Sequence, residues 1–188
     1  MADTSQLHVT VSSEAEQLIL VDADDRPVGH ASKASCHDGR GQRHRAFSLF
    51  IFNEHGELLL QQRSRHKRLW PGYWANSCCS HPRQHESMEQ ATERRLQQEL
   101  GMRCPLRFLF KFEYQADYRG LGAEHELCWV YSGICTTPVH ANANEIEAWR
   151  FVTPAELDRE MATDPERFTP WLKLEWQQPH RDPAMPAW

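Results

Sequence analysis

The sequence predicts an α/β domain in which a mixed β-sheet packs against two or three helices. Short apolar runs separated by turn residues predict several strands, and one segment has the pattern of an amphipathic helix. The 188 residues, 40% of them apolar, suit one domain with a sizeable core and contain neither a repeat nor a linker. We therefore expect one domain over residues 1–188, with a loose tail at 1–13 and a Pro-rich tail at 177–188.

The first half of the chain is expected to be mainly β-structure. The apolar run QLILVD (17–22) ends at the turn sequence DADDRP and predicts a strand. Residues 30–44 show little periodicity and are expected to form a loop. AFSLFIF (46–52) and ELLLQQR (57–63) flank NEHG, which predicts a β-hairpin. GYWANSCC (72–79) is expected to be strand-like.

The clearest helix is expected over SMEQATERRLQQELG (87–101). Ser87 and Gln90 have the spacing of a capping box, and Gly101 stands where a helix would end. Four apolar residues fall near one face of this helix: Met88, Ala91, Leu96 and Leu100.

Strands and helices alternate in the second half of the chain. Apolar segments at 106–116, 125–135 and 147–152 predict three strands. TPAELDREMA (153–162) predicts a capped helix, and TPWLKLEW (169–176) begins like another.

Composition excludes several classes of protein. A net charge of -5 argues against general nucleic-acid binding, although a local basic pocket for a small anion is compatible with it. The polar, acidic N-terminus does not predict a signal peptide, and no stretch approaches the 18 or so apolar residues of a membrane span. Six cysteines without a C-x-x-C pair predict reduced thiols in the cytosol, and neither a zinc ribbon nor a thioredoxin motif.

Two pairs of functional side chains have the spacing of one strand face. Cys79 and His81, in NSCCSHP, are separated by one residue, as are Glu124 and Glu126, so each pair could point into one cavity. His37 and His44 flank the unperiodic segment. Each feature alone also fits a core thiol, an exposed histidine or a solvated strand face. Three histidines and two carboxylates that converge would bind Zn²⁺, Mn²⁺ or Mg²⁺.

The expected helix carries a degenerate Nudix box, G-x5-E-x7-R-E-U-x-E-E-x-G-U, in which U is aliphatic. The pattern is matched by Glu86, Arg94, Leu96, Glu99 and Gly101, with Met102 as an acceptable apolar residue. It is broken by Ser80, Arg95 and Gln98. Replacing a carboxylate by Gln98 removes a hard anionic oxygen where Mg²⁺ needs one. The pattern thus indicates a scaffold that binds a diphosphate but has lost its hydrolytic machinery.

Several motifs together resemble type 1 isopentenyl-diphosphate isomerase. They are AFSLFIFNEHGELLLQQRSRHKRLWPGYWANSCCSHP, the degenerate box, FEYQAD and EHELCWVY, and the resemblance runs from about residue 17 to about residue 176. It implies a Nudix-like fold with mixed β-sheets sandwiched between helices. It also implies interconversion of isopentenyl diphosphate and dimethylallyl diphosphate by addition of a proton to one carbon and removal from another.

The resemblance also implies roles for individual residues. Cys79, Glu126 and Tyr114 match the catalytic residues, and Cys78 is expected to be packing. The metal ligands are matched by His37, His44, His81, Glu124 and Glu126. Glu99 matches the carboxylate that helps to hold Mg²⁺ on the diphosphate. Basic residues around the diphosphate are matched by Lys33, Arg63 and Lys67. Trp171 matches the tryptophan near the hydrocarbon, and Trp70 is expected to help line the cavity.

These matches define the cofactors and partners that we expect. Mn²⁺ or Zn²⁺ is expected at the site of three histidines and two glutamates, with Mg²⁺ as a further candidate there and with the substrate diphosphate. The partner is a small-molecule diphosphate, with neither nucleic acid nor membrane, and the protein is expected to be a monomer or weak homodimer. Two alternatives stay open: a Nudix hydrolase of a nucleoside diphosphate derivative, disfavoured by Arg95 and Gln98, and a non-catalytic metal-binding protein, disfavoured by Cys79, Tyr114 and Glu126 together.

Overall fold

The computed structural model describes residues 10–178. Most of the two predicted tails, residues 1–9 and 179–188, therefore lies outside the described residues. The strands in that range are Gln17–Val21 (β1), Pro27–Ser32 (β2), His44–Phe52 (β3), Leu58–Arg63 (β4), Trp74–Ala75 (β5), Cys78–Ser80 (β6), Arg107–Asp117 (β7), Ala123–Ile134 (β8) and Ile146–Val152 (β9). The α-helices are Lys33–His37 (α1), Met88–Leu100 (α2), Pro154–Thr163 (α3) and Pro170–Trp176 (α4).

Strand β3 is the centre of the fold. Its residues are almost all buried, as expected for a strand that is covered on both faces. It pairs in parallel with β8 along its whole length and in antiparallel with β6 on its other side. Side chains at alternate positions enter two cores. Ala46, Phe50 and Phe52 face residues of α3 and α4, whereas Phe47, Leu49 and Ile51 face α2. The mixed sheet is thus sandwiched between helices, which confirms the predicted fold class.

The remaining strands extend this centre. β7 is antiparallel to β8, β2 is antiparallel to β1, and β1 meets β3 at Leu20 and His44. β4 pairs in antiparallel with both β9 and β5. The predicted strands of the hairpin, β3 and β4, are present, but they are paired only at Phe52 and Leu58 before they diverge to different partners. The strand-like segment 72–79 becomes two short strands, β5 and β6.

Local capping signals in the sequence are confirmed. Ser87 and Gln90 form the reciprocal capping box of α2, and Gly101 ends the helix with a φ of 65°. Thr153 and Glu156 form a second capping box at α3. No helix among residues 10–178 is long and apolar enough to cross a membrane.

The prediction of a loop over residues 30–44 is wrong for residues 30–37 and 44, whereas residues 38–43 are irregular as expected. Residues 30–32 belong to β2, and α1 follows at once, with Ser32 as its N-cap accepting a hydrogen bond from the Ser35 amide at 3.2 Å. β2 is a largely exposed edge strand with few apolar residues, and α1 has only five residues, so neither leaves a periodic pattern. The consequence is functional, because the last residue of α1 is His37 and its side chain is buried.

The prediction of a loose tail over residues 1–13 is also wrong for its described end. The backbone amides of Val11 and Ser12 donate to Glu145 Oε1 at 3.2 and 3.1 Å, and the Ser12 hydroxyl donates to Oε2 at 3.0 Å. Arg95 donates to the Val11 carbonyl at 3.0 Å. This segment is therefore tied to residues that are distant in the sequence, which no local pattern could show.

Candidate active site

A cavity of about 500 Å³ lies at the end of the sheet where β6, β7 and β8 meet α1 and α4. The predicted site residues that line it are Lys33, His37, Arg63, Lys67, Cys79, His81, Tyr114, Glu124, Glu126 and Trp171. One end of the cavity is formed by histidines and carboxylates, and the other carries lysine and arginine side chains. A single cavity thus brings together most of the residues that the sequence singled out.

Sheet register positions Glu126 between two functional neighbours. On β8, Glu126 is paired with His44 of β3 on one side and with Tyr114 of β7 on the other. The Tyr114 hydroxyl donates to Glu126 Oε2 at 2.8 Å, and His81 Nε2 lies 3.0 Å from Oε1. Glu124, two residues earlier on the same face, contacts His37 Nε2 at 2.7 Å. The structure thus brings together the three histidines and two glutamates that the sequence singled out.

Backbone carbonyls orient two of the histidine rings. His37 Nδ1 lies 2.7 Å from the Lys33 carbonyl, and His44 Nδ1 lies 2.7 Å from the Gln42 carbonyl. Each contact fixes the proton on Nδ1 and leaves Nε2 directed towards the glutamates. The ring centroids of His37 and His81 are 5.4 Å apart, and that of His44 lies within 5 Å of both.

The chemistry of this cluster fits a divalent metal ion. Its members are His37, His44, His81, Glu124 and Glu126, and their ligand atoms all lie within 4.8 Å of one another. His44 Nε2 is buried and has no hydrogen-bond partner among the described residues. Buried polar atoms are normally satisfied, so this orphaned nitrogen points to a ligand. Imidazole and carboxylate donors together suit Zn²⁺ or Mn²⁺.

Ionisation in the cluster follows from burial and close charges. Burial alone would raise the pKa of Glu124 and Glu126, but their histidine partners lower both below the ordinary value. Burial lowers the pKa of His37, yet the Glu124 carboxylate outweighs it and the pKa is about 9. His81 behaves in the opposite way, because burial and the other two histidines hold its pKa well below 6.5. The cluster therefore presents two carboxylates and at least one neutral imidazole.

Cys79 lines the same cavity and is surrounded by polar groups. Its Sγ lies 2.6 Å from Asn76 Oδ1, receives the Trp171 indole N–H at 3.1 Å, and lies 3.8 Å from the Ser48 hydroxyl. Burial, and then the charge of Glu175, raise the pKa of Cys79 well above 9. The thiol therefore carries its proton at neutral pH. Cys78, by contrast, is fully buried in the core with α2, as predicted.

The basic end of the cavity contains three cations close together. Burial and the neighbouring charge of Lys67 lower the pKa of Lys33, and Arg95 contributes to the same effect. Lys67 and Arg95 both pair with Glu145, which is almost fully buried. Cations of the same sign held this close together disfavour their own charged forms, and a bound anion would relieve that repulsion.

Arg63 and Trp171 form a second wall of the cavity, and Trp70 packs behind it. Arg63 donates to the carbonyls of Trp70 and Leu69 at 3.1 and 2.9 Å, and its guanidinium lies 5.1 Å from the centroid of the Trp171 ring. Trp70 is not one of the described residues that line the cavity; it packs edge-on against Trp171 with a centroid distance of 5.4 Å. Its place is thus behind the wall that Trp171 provides.

The degenerate box has a structural role around α2. Arg94 makes two hydrogen bonds to Glu86, of 2.6 and 2.8 Å, and a third of 3.3 Å to the carbonyl of His81. This contact ties the segment after β6 to the helix. Gln98 accepts a hydrogen bond from Arg94 at 3.3 Å. Glu99 is buried and pairs with Arg95, and it is not one of the described residues that line the cavity.

Sequence reasoning missed the contribution of Arg95. The sequence pattern shows Arg95 only as a departure from the hydrolase box, whereas its side chain lines the cavity. Its pKa is raised above the ordinary value because Glu99 and other anions outweigh its burial. A basic residue where the box has a carboxylate is itself a signal for direct contact with an anion.

Comparison with known proteins defines the class first. Residues 42–172 match the NUDIX domain family. The crystal structure of DR0079 from Deinococcus radiodurans superposes with a TM-score of 0.69 at 22% identity, over 85% of this chain and 96% of that one. A MutT protein from Methanosarcina mazei Go1 gives 0.58 at 17% identity, over 71% and 89%. These structures share the fold, and the chain belongs to the Nudix superfamily.

Sequence relatives define the particular family. Isopentenyl-diphosphate Delta-isomerase 1 of Photorhabdus laumondii subsp. laumondii is 42% identical over 163 residues, which cover 86% of this chain and 93% of the relative. An isopentenyl-diphosphate delta-isomerase of Schizosaccharomyces pombe is 37% identical over 182 residues, covering 85% and 79%. Within the superfamily, the chain belongs to the isopentenyl-diphosphate Delta-isomerases.

Proposed function

We propose that this protein interconverts isopentenyl diphosphate and dimethylallyl diphosphate. The observation that carries the proposal is the placement of a protonated thiol, Cys79, and an ionised carboxylate, Glu126, in the wall of one cavity with a cationic end. The reaction needs one group that gives a proton to the double bond and another that removes a proton from a neighbouring carbon. The molecular formula is unchanged, because one proton enters and one leaves.

The two groups that handle protons begin in different protonation states. In the resting state Cys79 carries a proton and is the donor, while Glu126, with the Tyr114 hydroxyl 2.8 Å from its Oε2, is the acceptor. After one turnover the roles are exchanged, and the same pair serves the opposite direction of the reaction. Tyr114 stays protonated, because burial and then the charge of Glu126 raise its pKa well above 10. It can therefore stabilise the carboxylate or pass on its proton.

The basic end is proposed to hold the diphosphate. Lys33, Lys67 and Arg95 supply charge there, and Arg63 approaches from the second wall. Binding the anion at this end orients the small hydrocarbon part towards Cys79 and Glu126. Glu99 is proposed to help to hold Mg²⁺ with the diphosphate, in exchange for its contact with Arg95.

Trp171 is proposed to cover the reacting carbons. Protonation of the double bond produces a tertiary cation, or a state close to one, that water would trap as an alcohol. The Trp171 ring excludes water and offers a π-face that stabilises positive charge without attacking it. Trp70 supports this ring from behind.

The cluster of histidines and glutamates is proposed to bind Mn²⁺ or Zn²⁺, with Mg²⁺ as a further candidate. The ligands would be His37, His44, His81, Glu124 and Glu126. A bound ion would supply positive charge that fixes Glu126 and tunes its pKa.

We also propose a cytosolic location, supported by six free thiols. The oligomeric state that we propose is a monomer or weak homodimer.

Proton NMR of the protein with isopentenyl diphosphate and Mg²⁺ in D₂O tests this function. We expect dimethylallyl diphosphate that carries deuterium, and none of it with Cys79→Ala. Cys104→Ala is the matched control, since this half-buried thiol lies outside the cavity lining and should leave turnover unchanged. Release of phosphate would instead support the hydrolase alternative, which Arg95 and Gln98 disfavour. An unchanged substrate spectrum with metal-loaded protein would support a binding protein.

A further inference from the structure

A buried carboxyl group lies near the thiol and takes no part in the proton transfers described above. Glu175 is fully buried on α4, and its Oε2 has no hydrogen-bond partner among the described residues. A carboxyl group in such a place is costly, and an apolar residue of similar size would pack there without that cost. The retention of an acid at this position therefore calls for a chemical reason.

A short chain of polar atoms connects Glu175 to Cys79. Cys128 Sγ lies 3.6 Å from Glu175 Oε1 and 3.5 Å from Ser48 Oγ, and Ser48 Oγ lies 3.8 Å from Cys79 Sγ. The chain is built on sheet register, because Ser48 of β3 is the cross-strand partner of Cys79 of β6. Ser48 also faces the Glu175 carboxyl group closely enough to oppose the rise in its pKa.

Two residues of helix α4 are connected to the Cys79 thiol, one directly and one through other side chains. Trp171 donates its indole N–H to Cys79 Sγ at 3.1 Å, and Glu175 follows four residues later on the same helix face. The helix therefore presents one group that touches the sulfur directly and one that reaches it through Ser48 and Cys128.

The protonation state of Glu175 decides the direction of these hydrogen bonds. Burial raises the pKa of Glu175 to about 8, so the group is mainly neutral at pH 7. A carboxylate only accepts hydrogen bonds and would draw the Ser48 and Cys128 protons towards itself. A neutral acid has a proton to donate and leaves the Ser48 hydroxyl free to donate to the sulfur of Cys79.

We propose that Glu175, as a neutral acid, is a positioning residue that directs the Ser48 hydroxyl towards the Cys79 sulfur. This proposal depends on the proposed function in one respect, which is that Cys79 is the catalytic thiol. Glu175 itself touches neither the cavity nor the reacting carbons. Its effect should therefore appear in turnover and in thiol reactivity, and not in substrate binding.

The test uses Glu175→Leu, Glu175→Gln and Ser48→Ala in the full-length, metal-loaded protein. At pH 7 we expect Ser48→Ala and Glu175→Leu to lower kcat by about threefold to tenfold with an unchanged KM, as for loss of one hydrogen bond. Glu175→Gln keeps a donor of the same shape and should stay within about twofold of the natural protein. Ser132→Ala is the matched control. It also removes a buried hydroxyl, but this one has no hydrogen-bond partner in the described range.

Alkylation of Cys79 separates this proposal from the proposed function. The rate with iodoacetamide, followed by mass spectrometry of the peptide that contains Cys79, should fall by about threefold or more in Glu175→Leu and Ser48→Ala. It should be restored in Glu175→Gln. This readout decides the proposal even if the natural protein shows no isomerase activity, which would overturn the proposed function alone.

Unchanged kcat and alkylation in Glu175→Leu, or equal losses in Glu175→Gln and Glu175→Leu, would overturn the positioning role. If Glu175→Leu does not fold, Glu175→Met takes its place, with the same expected losses and the same outcomes that would overturn the positioning role.

Discussion

Tyr114 and Glu126 are direct cross-strand partners, and the Tyr114 hydroxyl donates to Glu126 Oε2 at 2.8 Å. Both residues are buried, so the hydrogen bond works in a medium that screens charge poorly. The register between β7 and β8 therefore holds a proton donor at a fixed distance from the carboxylate that we propose to handle a proton.

Tyr114→Phe should lower kcat by about tenfold to a hundredfold, because a hydrogen bond to a charged group is lost in the reaction. KM should change little, since the ring and its packing stay. Steady-state kinetics with isopentenyl diphosphate measure both constants. Tyr73→Phe is the matched control, and a similar loss of kcat there would contradict the special role of Tyr114.

His44→Asn should lower the affinity for the metal by more than about tenfold. The orphaned Nε2 of this buried residue faces Glu126, and asparagine cannot place a nitrogen at the same point. Metal content after dialysis, measured by plasma mass spectrometry, gives the result. His55→Asn, an exposed turn residue, is the control. Full metal content in His44→Asn would remove His44 from the ligand set.

Gly122→Ala should destabilise the protein by about 1 to 3 kcal/mol and weaken metal binding. A Cβ at this position would lie 2.5 Å from the backbone oxygen of His37, and the residue has a φ of 151°. The backbone of α1 would therefore have to move, and His37 with it. Urea unfolding and metal titration report the two effects. Gly120→Ala has open space around it, although its φ of 72° still disfavours a side chain, so it should lower stability without changing metal affinity.

Glu145 should make stability depend on pH in the acid range. Burial raises the pKa of Glu145, but Lys67 and Arg95 outweigh burial and hold the pKa at about 2, below the ordinary 4.5. The folded state thus favours the ionised form. The resulting stability is present above pH 4.5 and is lost as pH falls towards 2.

Glu145→Gln tests this dependence through the free energy of unfolding in urea. The difference between the natural protein and the variant should shrink by about 3 kcal/mol between pH 5 and pH 2. Glu147→Gln removes an exposed carboxylate two residues away and should show no such change. A difference that is constant with pH would show that Glu145 contributes packing and not charge.

The sequence predicted those parts of the molecule that are encoded locally. The capping box of Ser87 and Gln90 and the apolar runs of β3 and β8 carry their own signals, and so do the paired spacings of Cys79 with His81 and of Glu124 with Glu126. The short helix α1 was missed because five residues contain little more than one helical turn.

Contacts between distant segments could not be predicted. Glu145 is joined to Val11 and Ser12 across more than two thirds of the chain, and no spacing indicates this. The resemblance predicts that Trp70 helps to line the cavity, but only the packing shows that it lies behind Trp171. The neutral acid at Glu175 was hidden, because α4 has to dock on β3 before its environment exists.

The parallel pairing of β3 with β8 has a consequence for how the protein folds. This ladder joins His44 to Glu126, which are far apart in the chain, and Trp171 is added from the last described helix. Structures with such a high contact order fold slowly, since long loops must close before their contacts contribute. The ligand set is complete only when these loops have closed. Metal binding during refolding should therefore occur only after the slowest folding step, and the bound ion should then stabilise the folded state. The time course of metal binding would thus report the last stage of folding.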